Sequence, residues 1–140
     1  MADTEKVRMC LLIPRKKGIS KEEFYDHWAN VHGPLVAPTL IKYGVSNYVQ
    51  FHRIPHRDEA IGVPPQYDGI AEFVFDKYED MEAFYKDPFY LDEIRADELR
   101  FIDVDNIVFS IGRDVDVIKN GKNMCSSSKS TGQAQAATAV

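Results

Sequence analysis

Four segments of the chain carry the hydrophobic pattern of β-strands. The run Val7–Ile13 is apolar apart from Arg8, which predicts a central strand buried on both faces. The segment 45–54 alternates polar and apolar residues and is rich in β-branched and aromatic side chains, so we predict a second strand there. The same reasoning predicts a third strand over 67–75 and a fourth over 106–117.

The second and third strands are expected to present two distinct faces each, because successive side chains of a strand point to opposite sides. One face of the second strand is both polar and aromatic, as a pocket wall would be, and consists of Ser46, Tyr48, Gln50, His52 and Ile54. The third strand separates two sets of side chains: Asp68, Ile70, Glu72 and Val74 on one face, and Gly69, Ala71, Phe73 and Phe75 on the other.

The segment Ser20–Val36 reads S-K-E-E-F-Y-D-H-W-A-N-V-H-G-P-L-V and predicts a helix with recognisable ends. Ser20 and Glu23 are spaced as the capping-box pair at its start. Gly33 and Pro34 are expected to end it. At about 100° per residue, four apolar side chains fall within one narrow arc that the helix would bury, namely Phe24, Trp28, Val31 and Leu35.

Two further helices are predicted in the second half of the chain. The first covers 76–86 and ends at Asp87-Pro88, because the residue before a proline avoids helical geometry. The second covers 89–100. Their apolar sides are expected at Met81, Phe84 and Tyr85 in the first helix and at Tyr90, Ile94 and Leu99 in the second.

Two segments lack the pattern of a regular element. The stretch 55–66 contains three prolines, a glycine and mixed charges, so we predict a surface loop there, with His56 solvated on it. Beyond residue 119 the chain is small and polar, with too little apolar area to offset the entropy of ordering it. We therefore predict one folded domain over 1–118 and a disordered polar tail over 119–140.

The order strand-helix-strand occurs twice, which predicts an α+β fold with a duplicated βαβ unit, a ferredoxin-like arrangement with a four-stranded antiparallel sheet. The sequence E-E-F-Y at 22–25 is echoed by E-A-F-Y at 82–85, the equivalent place in the second half. Two helices cover only one face of such a sheet, and strands this apolar leave the other face in need of a partner. We expect a homodimer through that face.

Composition narrows the classes of function. With 140 residues, of which 44% are hydrophobic and 28% charged, the chain is ordinary for a globular domain. Its net charge of −5 argues against a general affinity for nucleic acid or for an anionic membrane. We find no segment of signal-peptide type or of membrane-spanning length, and no reason for Cys10 and Cys125 to pair, so we expect a cytoplasmic, reduced protein.

Two of the four histidines, His27 and His32, lie on the first predicted helix beside the only tryptophan. Five residues correspond to a separation of about 140° around an α-helix, so these two side chains are not expected to ligate one metal ion. We expect His27 at the surface or in local packing. His32 falls in the predicted last turn, where the helix dipole raises the pKa of an imidazole. Its role as a proton donor or as a cap for the helix carbonyls stays open.

These residues resemble a known family. The pattern F-x-x-H-W-x-x-x-H-x-P-L-V at 24–36, together with Y-D-G-I-A-E-F-V-F at 67–75, resembles the EthD domain of the dimeric α/β-barrel superfamily over 7–113. The chain is most similar to small fungal members of aromatic polyketide pathways, decarboxylases of anthrone-type acids among them. The resemblance implies a cofactor-independent acid/base enzyme, a lyase, that binds a flat polyhydroxylated aromatic molecule between sheet and helices.

Three residues are candidates for the acid/base chemistry that the resemblance implies. His32 would donate a proton to the substrate ring, and Asp68, at the family's aspartate position, would orient it or accept a phenol proton. His52 is a second acid/base candidate. For Asp68 a turn role and for His52 simple exposure stay open. Four aromatic residues would either stack on the substrate or belong to the core: Phe24, Trp28, Tyr48 and Phe73.

Other functions stay open beside decarboxylation. A dehydratase, a cyclase or a cofactor-free anthrone-type monooxygenase would use the same acid/base groups. A binding protein that holds a reactive intermediate would need the cavity alone. The sequence carries no nucleotide-binding, CxxC or G-x-S-x-G motif, so nucleotide, zinc and serine-hydrolase mechanisms have no support, and we expect no cofactor and no metal.

Overall fold

A computed structural model of the chain describes residues 6–54, 57 and 66–126. Most of the predicted loop 55–66, His56 included, and the tail residues 127–140 lie outside the described residues. In chain order the strands are β1 (Val7–Ile13), β2 (Val45–His52), β3 (Gly69–Phe75), β4 (Val108–Gly112), β5 (Ile118–Lys119) and β6 (Lys122–Asn123). The α-helical segments are α1 (Lys21–His27), α2 (Gly33–Lys42), α3 (Tyr78–Lys86) and α4 (Arg95–Phe101).

The four predicted strands form one antiparallel sheet in the order β2-β3-β1-β4. This order, with β1 and β3 in the middle and a helical crossover after β1 and after β3, confirms the predicted ferredoxin-like α+β fold. The prediction that β1 is buried on both faces is wrong for the single chain. Its inner residues Met9 and Ile13 are 1% and 3% exposed, whereas Arg8, Cys10 and Leu12 on the outer face are only half-buried.

The first helix begins as predicted but does not end at Gly33 and Pro34. The Ser20 hydroxyl accepts a hydrogen bond of 3.0 Å from the Glu23 backbone N–H, which confirms the cap. A turn of π-helix, Trp28–His32, then leads directly into α2, and the Gly33 N–H bonds the carbonyl of Trp28 five residues earlier. Pro34 is tolerated because it lies in the first turn of α2, where an N–H group is dispensable.

A second π-turn, Tyr90–Ile94, precedes α4 in the same way, with the Arg95 N–H bonded to the Tyr90 carbonyl. Each π-turn adds a residue to one helical turn and so rotates everything that follows it around the helix axis. Two predicted core positions are therefore wrong: Val31 is 46% exposed and Leu99 is 56% exposed. Val36, Leu40 and Phe101 are buried in their stead.

The core lies between the inner face of the sheet and the helices. Met9, Ala71 and Phe75 of the central strands pack with Phe24, Trp28, Leu40, Phe84, Ile94 and Phe101 of the helices. The predicted faces of β3 are confirmed, since Gly69, Ala71, Phe73 and Phe75 point inward. The indole of Trp28 lies directly on the backbone at Gly69, where a Cβ would stand 2.5 Å from a ring carbon.

The outer face of the sheet is not covered by the helices of the described chain. Cross-strand pairing places Val49, Phe51 and Val108 on this face, and they are 43%, 54% and 43% exposed. Its centre is polar: Arg8 pairs with Glu72 at 3.1 Å and with Asp114 at 2.5 Å. We name this surface, over β2, β3, β1 and β4, the outer face.

The C-terminal part of the described chain contains a small hairpin of β5 and β6. It lies within the segment for which we predict disorder from residue 119, and its strands are exposed throughout. For residues 127–140 the prediction stays untested. Cys10 and Cys125 are both free, as expected. Among the described residues, we find no helix that is both long and apolar enough to cross a membrane.

The contact between Trp28 and Gly69 gives a direct test of this packing. A methyl group at position 69 would force the indole or the strand to move, so we expect Gly69→Ala to lower the free energy of unfolding by about 1–3 kcal/mol in urea titrations. The matched control is Gly112→Ala in β4, where a Cβ would meet no atom within 4 Å. Equal stability of the two variants would contradict the packing described.

Candidate active site

The first π-turn brings His27 and His32 to the same side of the helix. His27 Nε2 lies 2.9 Å from Oδ1 of Asp97, and His32 Nδ1 lies 2.9 Å from Oδ2 of the same carboxylate. The expectation that the two histidines point about 140° apart is wrong, because it assumes α-helical spacing. With Asp97 ionised, both histidines donate to it through these nitrogens. Two helices are thereby joined at a carboxylate that is only 5% exposed.

His32 is a buried linking residue rather than the last residue of a helix. Its side chain packs against the ring of Phe101 at a centroid distance of 5.0 Å. Burial lowers its pKa, and the hydrogen bond to Asp97 only partly opposes this. The predicted rise in its pKa is therefore wrong, because the chain continues as α2 and leaves no helix end beside the ring. His27 is half-buried and also packs against the Phe101 ring, at a centroid distance of 4.7 Å.

Three polar side chains of β2 form a hydrogen-bonded row on the inner face. Gln50 donates through Nε2 to the hydroxyl of Tyr48 at 3.0 Å and to the carbonyl of Trp28 at 2.8 Å. Its Oε1 lies 2.9 Å from Nε2 of His52. His52 is half-buried and stacks on Trp28, with an interplanar angle of 6°. Burial lowers the pKa of His52.

Asp68 does not pair with His32, the histidine that we expected it to orient. Its Oδ2 accepts the Arg15 backbone N–H at 3.2 Å and lies 3.6 Å from the Arg15 guanidinium Nε. Its backbone carbonyl accepts the hydroxyl of Tyr25 at 2.5 Å, and its N–H bonds the carbonyl of Ile13. Asp68 therefore ties together the end of β1, the first helix and the start of β3, and the partner of His32 is Asp97 instead.

The four aromatic residues that we considered for stacking on a substrate belong to the core or pack against it. Phe24 and Trp28 are 0% and 1% exposed and belong to the core. Tyr48 stacks on Phe73 with ring centroids 4.5 Å apart. Burial raises the pKa of Tyr48 to about 12, although hydrogen bonds with Gln50 and Trp28 oppose the rise.

An open cleft of about 480 Å³ lies beside the second π-turn, between the helices and the segment that leads into β4. We name it the tyrosine cleft. That volume falls within the roughly 300–1,000 Å³ that small-molecule sites occupy. The cleft combines two phenols, a carboxyl and a guanidinium with an apolar rim, and its lining residues are Tyr85, Tyr90, Leu91, Arg95, Glu98, Leu99, Val104, Asp105 and Ile107.

Glu98 is the perturbed acid of the tyrosine cleft. Burial raises its pKa to about 7, with a hydrogen bond to Tyr90 and the charge of Arg95 opposing the rise. The negative charge of Glu98 in turn adds to the effect of burial on Tyr48, Tyr85 and Tyr90 and raises the pKa of each phenol. A carboxyl of this kind is part proton donor and part acceptor at neutral pH, which suits general acid catalysis.

A second hollow, of about 700 Å³, is a weaker candidate. It lies at the edge of the outer face, lined among others by Lys6, Arg8, Val74 and Asp114. Arg8 and Asp114 are already paired with each other, and Lys6 lies 3.9 Å from Asp76. Because these charged side chains are engaged with one another, the tyrosine cleft is the better candidate.

The residues that sequence reasoning missed lie at or beside the second π-turn: Tyr85, Tyr90, Arg95, Asp97 and Glu98. With the spacing of a regular α-helix, Tyr90 and Arg95, which are five residues apart, would lie on different sides of the helix. The density of tyrosines around 85–90 is the one signal in the sequence that points there. Within residues 6–54, 57 and 66–126, no group of three His, Cys, Asp or Glu side chains is placed to hold a metal ion.

The pKa of Glu98 predicts how stability depends on pH. The folded chain holds this proton up to about pH 7, whereas the unfolded chain releases it near 4.5, so wild-type stability falls as the pH rises between these values. The full difference between the pKa values of the folded and the unfolded chain corresponds to about 3 kcal/mol of stability. Glu98→Gln cannot titrate. We therefore expect its free energy of unfolding, relative to wild type, to be higher at pH 8 than at pH 5 by up to about 3 kcal/mol.

The control for this measurement is Glu93→Gln, an exposed glutamate in the same helical segment. It removes the same charge without touching the cleft. Urea titrations of the wild type and both variants at the two pH values give the comparison. A wild-type chain and a Glu98→Gln variant whose stabilities run parallel from pH 5 to pH 8 would contradict the buried carboxyl.

Comparison with known proteins places the fold and the family. The model of the EthD domain matches residues 16–105 of the chain. The decarboxylase claH of Passalora fulva is 29% identical over 124 residues, covering 81% of this chain and 80% of that protein. The conidial pigment biosynthesis dehydratase EthD of Metarhizium robertsii is 28% identical over 124 residues, covering 81% of this chain and 87% of that protein.

Solved structures share the same architecture. An EthD-like protein from Ralstonia eutropha superposes with a TM-score of 0.57 at 18% identity, covering 84% of this chain and 96% of that one. A dimeric protein of unknown function with a ferredoxin-like fold, from Bacteroides fragilis, superposes with a TM-score of 0.57 at 9% identity, covering 78% of this chain and 96% of that one. Decarboxylases and dehydratases are both lyases, so the relatives support a lyase-type enzyme. The chain belongs to the EthD-domain family.

Proposed function

We propose that the chain is a cofactor-independent lyase that decarboxylates a polyhydroxylated aromatic carboxylic acid, of anthrone type, in aromatic polyketide biosynthesis. The observation that carries the proposal is the Glu98 carboxyl, which is half-buried beside the Tyr90 hydroxyl in a cleft with an apolar rim, and whose pKa lies at about 7. Relatives named decarboxylase support the reaction class.

The reaction needs one proton and no electron carrier. A phenol or carbonyl ortho to the carboxylate feeds electron density to the ring carbon that bears it, and Glu98 transfers its proton to that carbon. The bond between the ring carbon and the carboxylate then breaks, its electron pair returns to the ring, and carbon dioxide leaves. Glu98 then takes a proton from the solvent, so the sum is one aromatic carboxylate and one proton giving an arene and carbon dioxide.

The surroundings of Glu98 suit this task. Its neighbours Tyr85 and Tyr90 are phenols whose pKa values are raised by burial, so they remain protonated hydrogen-bond donors at neutral pH. The row of His52, Gln50 and Tyr48 ends on a phenol that the charge of Glu98 influences, and in this proposal His52 is a second acid/base candidate at the far end of that row.

His32 and Asp68 take supporting roles in this proposal. His32 fixes Asp97, the residue next to Glu98, and so holds the start of α4 in place. Asp68 fixes the ends of β1 and β3 through Arg15 and Tyr25. Both are positioning residues, since neither lines the tyrosine cleft.

The proposal predicts a specific loss of activity. Glu98→Gln keeps the shape of the side chain but cannot give up a proton, so we expect kcat for carbon dioxide release from hydroxylated anthrone- and anthraquinone-carboxylic acids to fall by about 100-fold or more, with KM nearly unchanged. Glu93→Gln serves as the matched control and is expected to retain wild-type kcat. Full activity of Glu98→Gln on a substrate that the wild type turns over would remove Glu98 from the mechanism.

Dehydration is the second candidate, and the relative named dehydratase favours it. The same carboxyl would protonate a leaving hydroxyl group in place of a ring carbon. Mass spectrometry of the product separates the alternatives, because the substrate loses carbon dioxide in one case and water in the other. A product that has gained oxygen would instead indicate a cofactor-free oxygenase and contradict the lyase assignment.

The proposal includes a homodimer through the outer face. Three apolar side chains there, Val49, Phe51 and Val108, stand about half exposed, and one solved structure of the same fold is named as dimeric. A charge at the centre of such an interface would be desolvated without a partner. The polar pairs of Arg8 with Glu72 and Asp114 would lie within the same interface.

Two charged substitutions test the dimer, one on the outer face and one on α2. We expect the wild type to run as a dimer in light scattering, and Phe51→Asp to run as a monomer because it places a charge in the interface. Ile41→Asp is the control, on α2 away from the sheet, where the side chain is 70% exposed. It is expected to leave the dimer intact. A monomeric wild-type protein at micromolar concentration would contradict the interface.

A further inference from the structure

We propose that Arg95 is the subsite for the anionic edge of the substrate, the carboxylate together with an ortho phenolic oxygen, so that the tyrosine cleft selects planar aromatic hydroxy acids over their neutral analogues. The inference rests on the proposed function, since it deepens the same site. It concerns recognition rather than proton transfer. Arg95 is therefore a specificity residue and Glu98 the acid.

The first step of the argument is the placement of Arg95 on the helix. Arg95 and Glu98 are three residues apart at the start of α4, which puts their side chains on neighbouring positions of one helix face, with Cβ atoms about 5–6 Å apart. The π-turn adds Tyr90 to that face, since the Arg95 N–H bonds the Tyr90 carbonyl. All three side chains line the cleft. One aromatic acid in the cleft can thus contact both Arg95 and Glu98.

The second step is that the guanidinium of Arg95 is available. Arg8 is engaged by Glu72 and Asp114, and Arg15 by Asp68, whereas the Arg95 guanidinium makes no ion pair or side-chain hydrogen bond within the described chain and acts on Glu98 and Tyr90 through its charge alone. It is exposed at the rim of the cleft. A planar guanidinium offers parallel N–H donors that match a carboxylate, or a carboxylate with an adjacent oxygen, in a bidentate arrangement.

The third step is the shape of the remaining walls. The rings of Tyr85 and Tyr90 meet edge to face, with centroids 4.9 Å apart and an interplanar angle of 90°. One of two perpendicular rings can lie against a flat molecule while the other borders its edge. Leu91 and Leu99, 45% and 56% exposed, give the rim an apolar surface that a fused aromatic ring system would cover.

The fourth step is the distribution of charge around the cleft. Asp105 also lines it, from the segment between α4 and β4, and carries the opposite sign to Arg95. A substrate with its carboxylate toward Asp105 would be repelled, whereas the reverse orientation pairs it with Arg95. The two charges therefore favour one direction in which an aromatic acid enters, with its carboxylate on the side of the cleft that carries Arg95.

The test compares two ligands of the same shape that differ in charge. Isothermal titration calorimetry at pH 6, where most of Glu98 is protonated, measures the binding of 3-hydroxy-2-naphthoate and of 3-hydroxy-2-naphthamide. We expect the wild type to prefer the naphthoate by about tenfold or more, because a charge-assisted bidentate contact is lost with the amide. Arg95→Gln is expected to bind both ligands equally. The control Arg100→Gln removes the same charge from an exposed position of α4 outside the cleft and is expected to keep the preference.

Several outcomes would overturn the inference: no binding of either ligand to the wild type, no preference for the naphthoate, or an Arg95→Gln variant that keeps the preference. Circular dichroism and urea titration of the variants check that each one is folded. The result is separable from the proposed reaction. A protein that selects the naphthoate through Arg95 but releases no carbon dioxide from any acid would support the subsite and contradict decarboxylation. A protein that releases carbon dioxide but does not select the naphthoate through Arg95 would support decarboxylation and contradict the subsite.

Discussion

The arrangement of this molecule depends on two hydrogen bonds that each span five residues, from the Gly33 N–H to the Trp28 carbonyl and from the Arg95 N–H to the Tyr90 carbonyl. Each inserts a π-turn and rotates the following residues around the helix axis. The first rotation brings His27 and His32 together on Asp97, and the second brings Tyr90 and Arg95 to one side. With α-helical spacing, neither the buried link between the helices nor the candidate site would exist.

The buried link and the candidate site are neighbours in the chain. Asp97 is held by two histidines from the first helix, and the next residue, Glu98, faces the tyrosine cleft. The carboxylate of Asp97 also raises the pKa of Glu98 by charge repulsion, as a minor effect beside burial. The H-W-x-x-x-H segment, which is the most informative part of the sequence, therefore contributes to the candidate site by positioning α4. Its histidines hold the helix that carries the acid.

Alternation and capping were sufficient to predict the strands, the inner face of β3 and the start of the first helix, because these features follow from local geometry. The predictions failed where α-helical spacing was assumed across the π-turns: Val31 and Leu99 are exposed, and His32 is no helix end. Asp97 could not be identified as the partner of His27 and His32, since these contacts cross from one half of the chain to the other, and Glu98 could not be singled out because its burial depends on the tertiary fold. The Trp28–Gly69 contact is likewise tertiary and could not be predicted from the sequence around either residue.

The central claim is that Glu98 is an acid that is still partly protonated at neutral pH in the folded chain. Its most direct test is a pH titration of the protein labelled with ¹³C at the glutamate side-chain carboxyl, followed by NMR, with the Glu98 signal identified from Glu98→Gln. The account predicts a pKa of about 7 for this carboxyl. A titration midpoint near 4.5, the ordinary value for a glutamate, would contradict it.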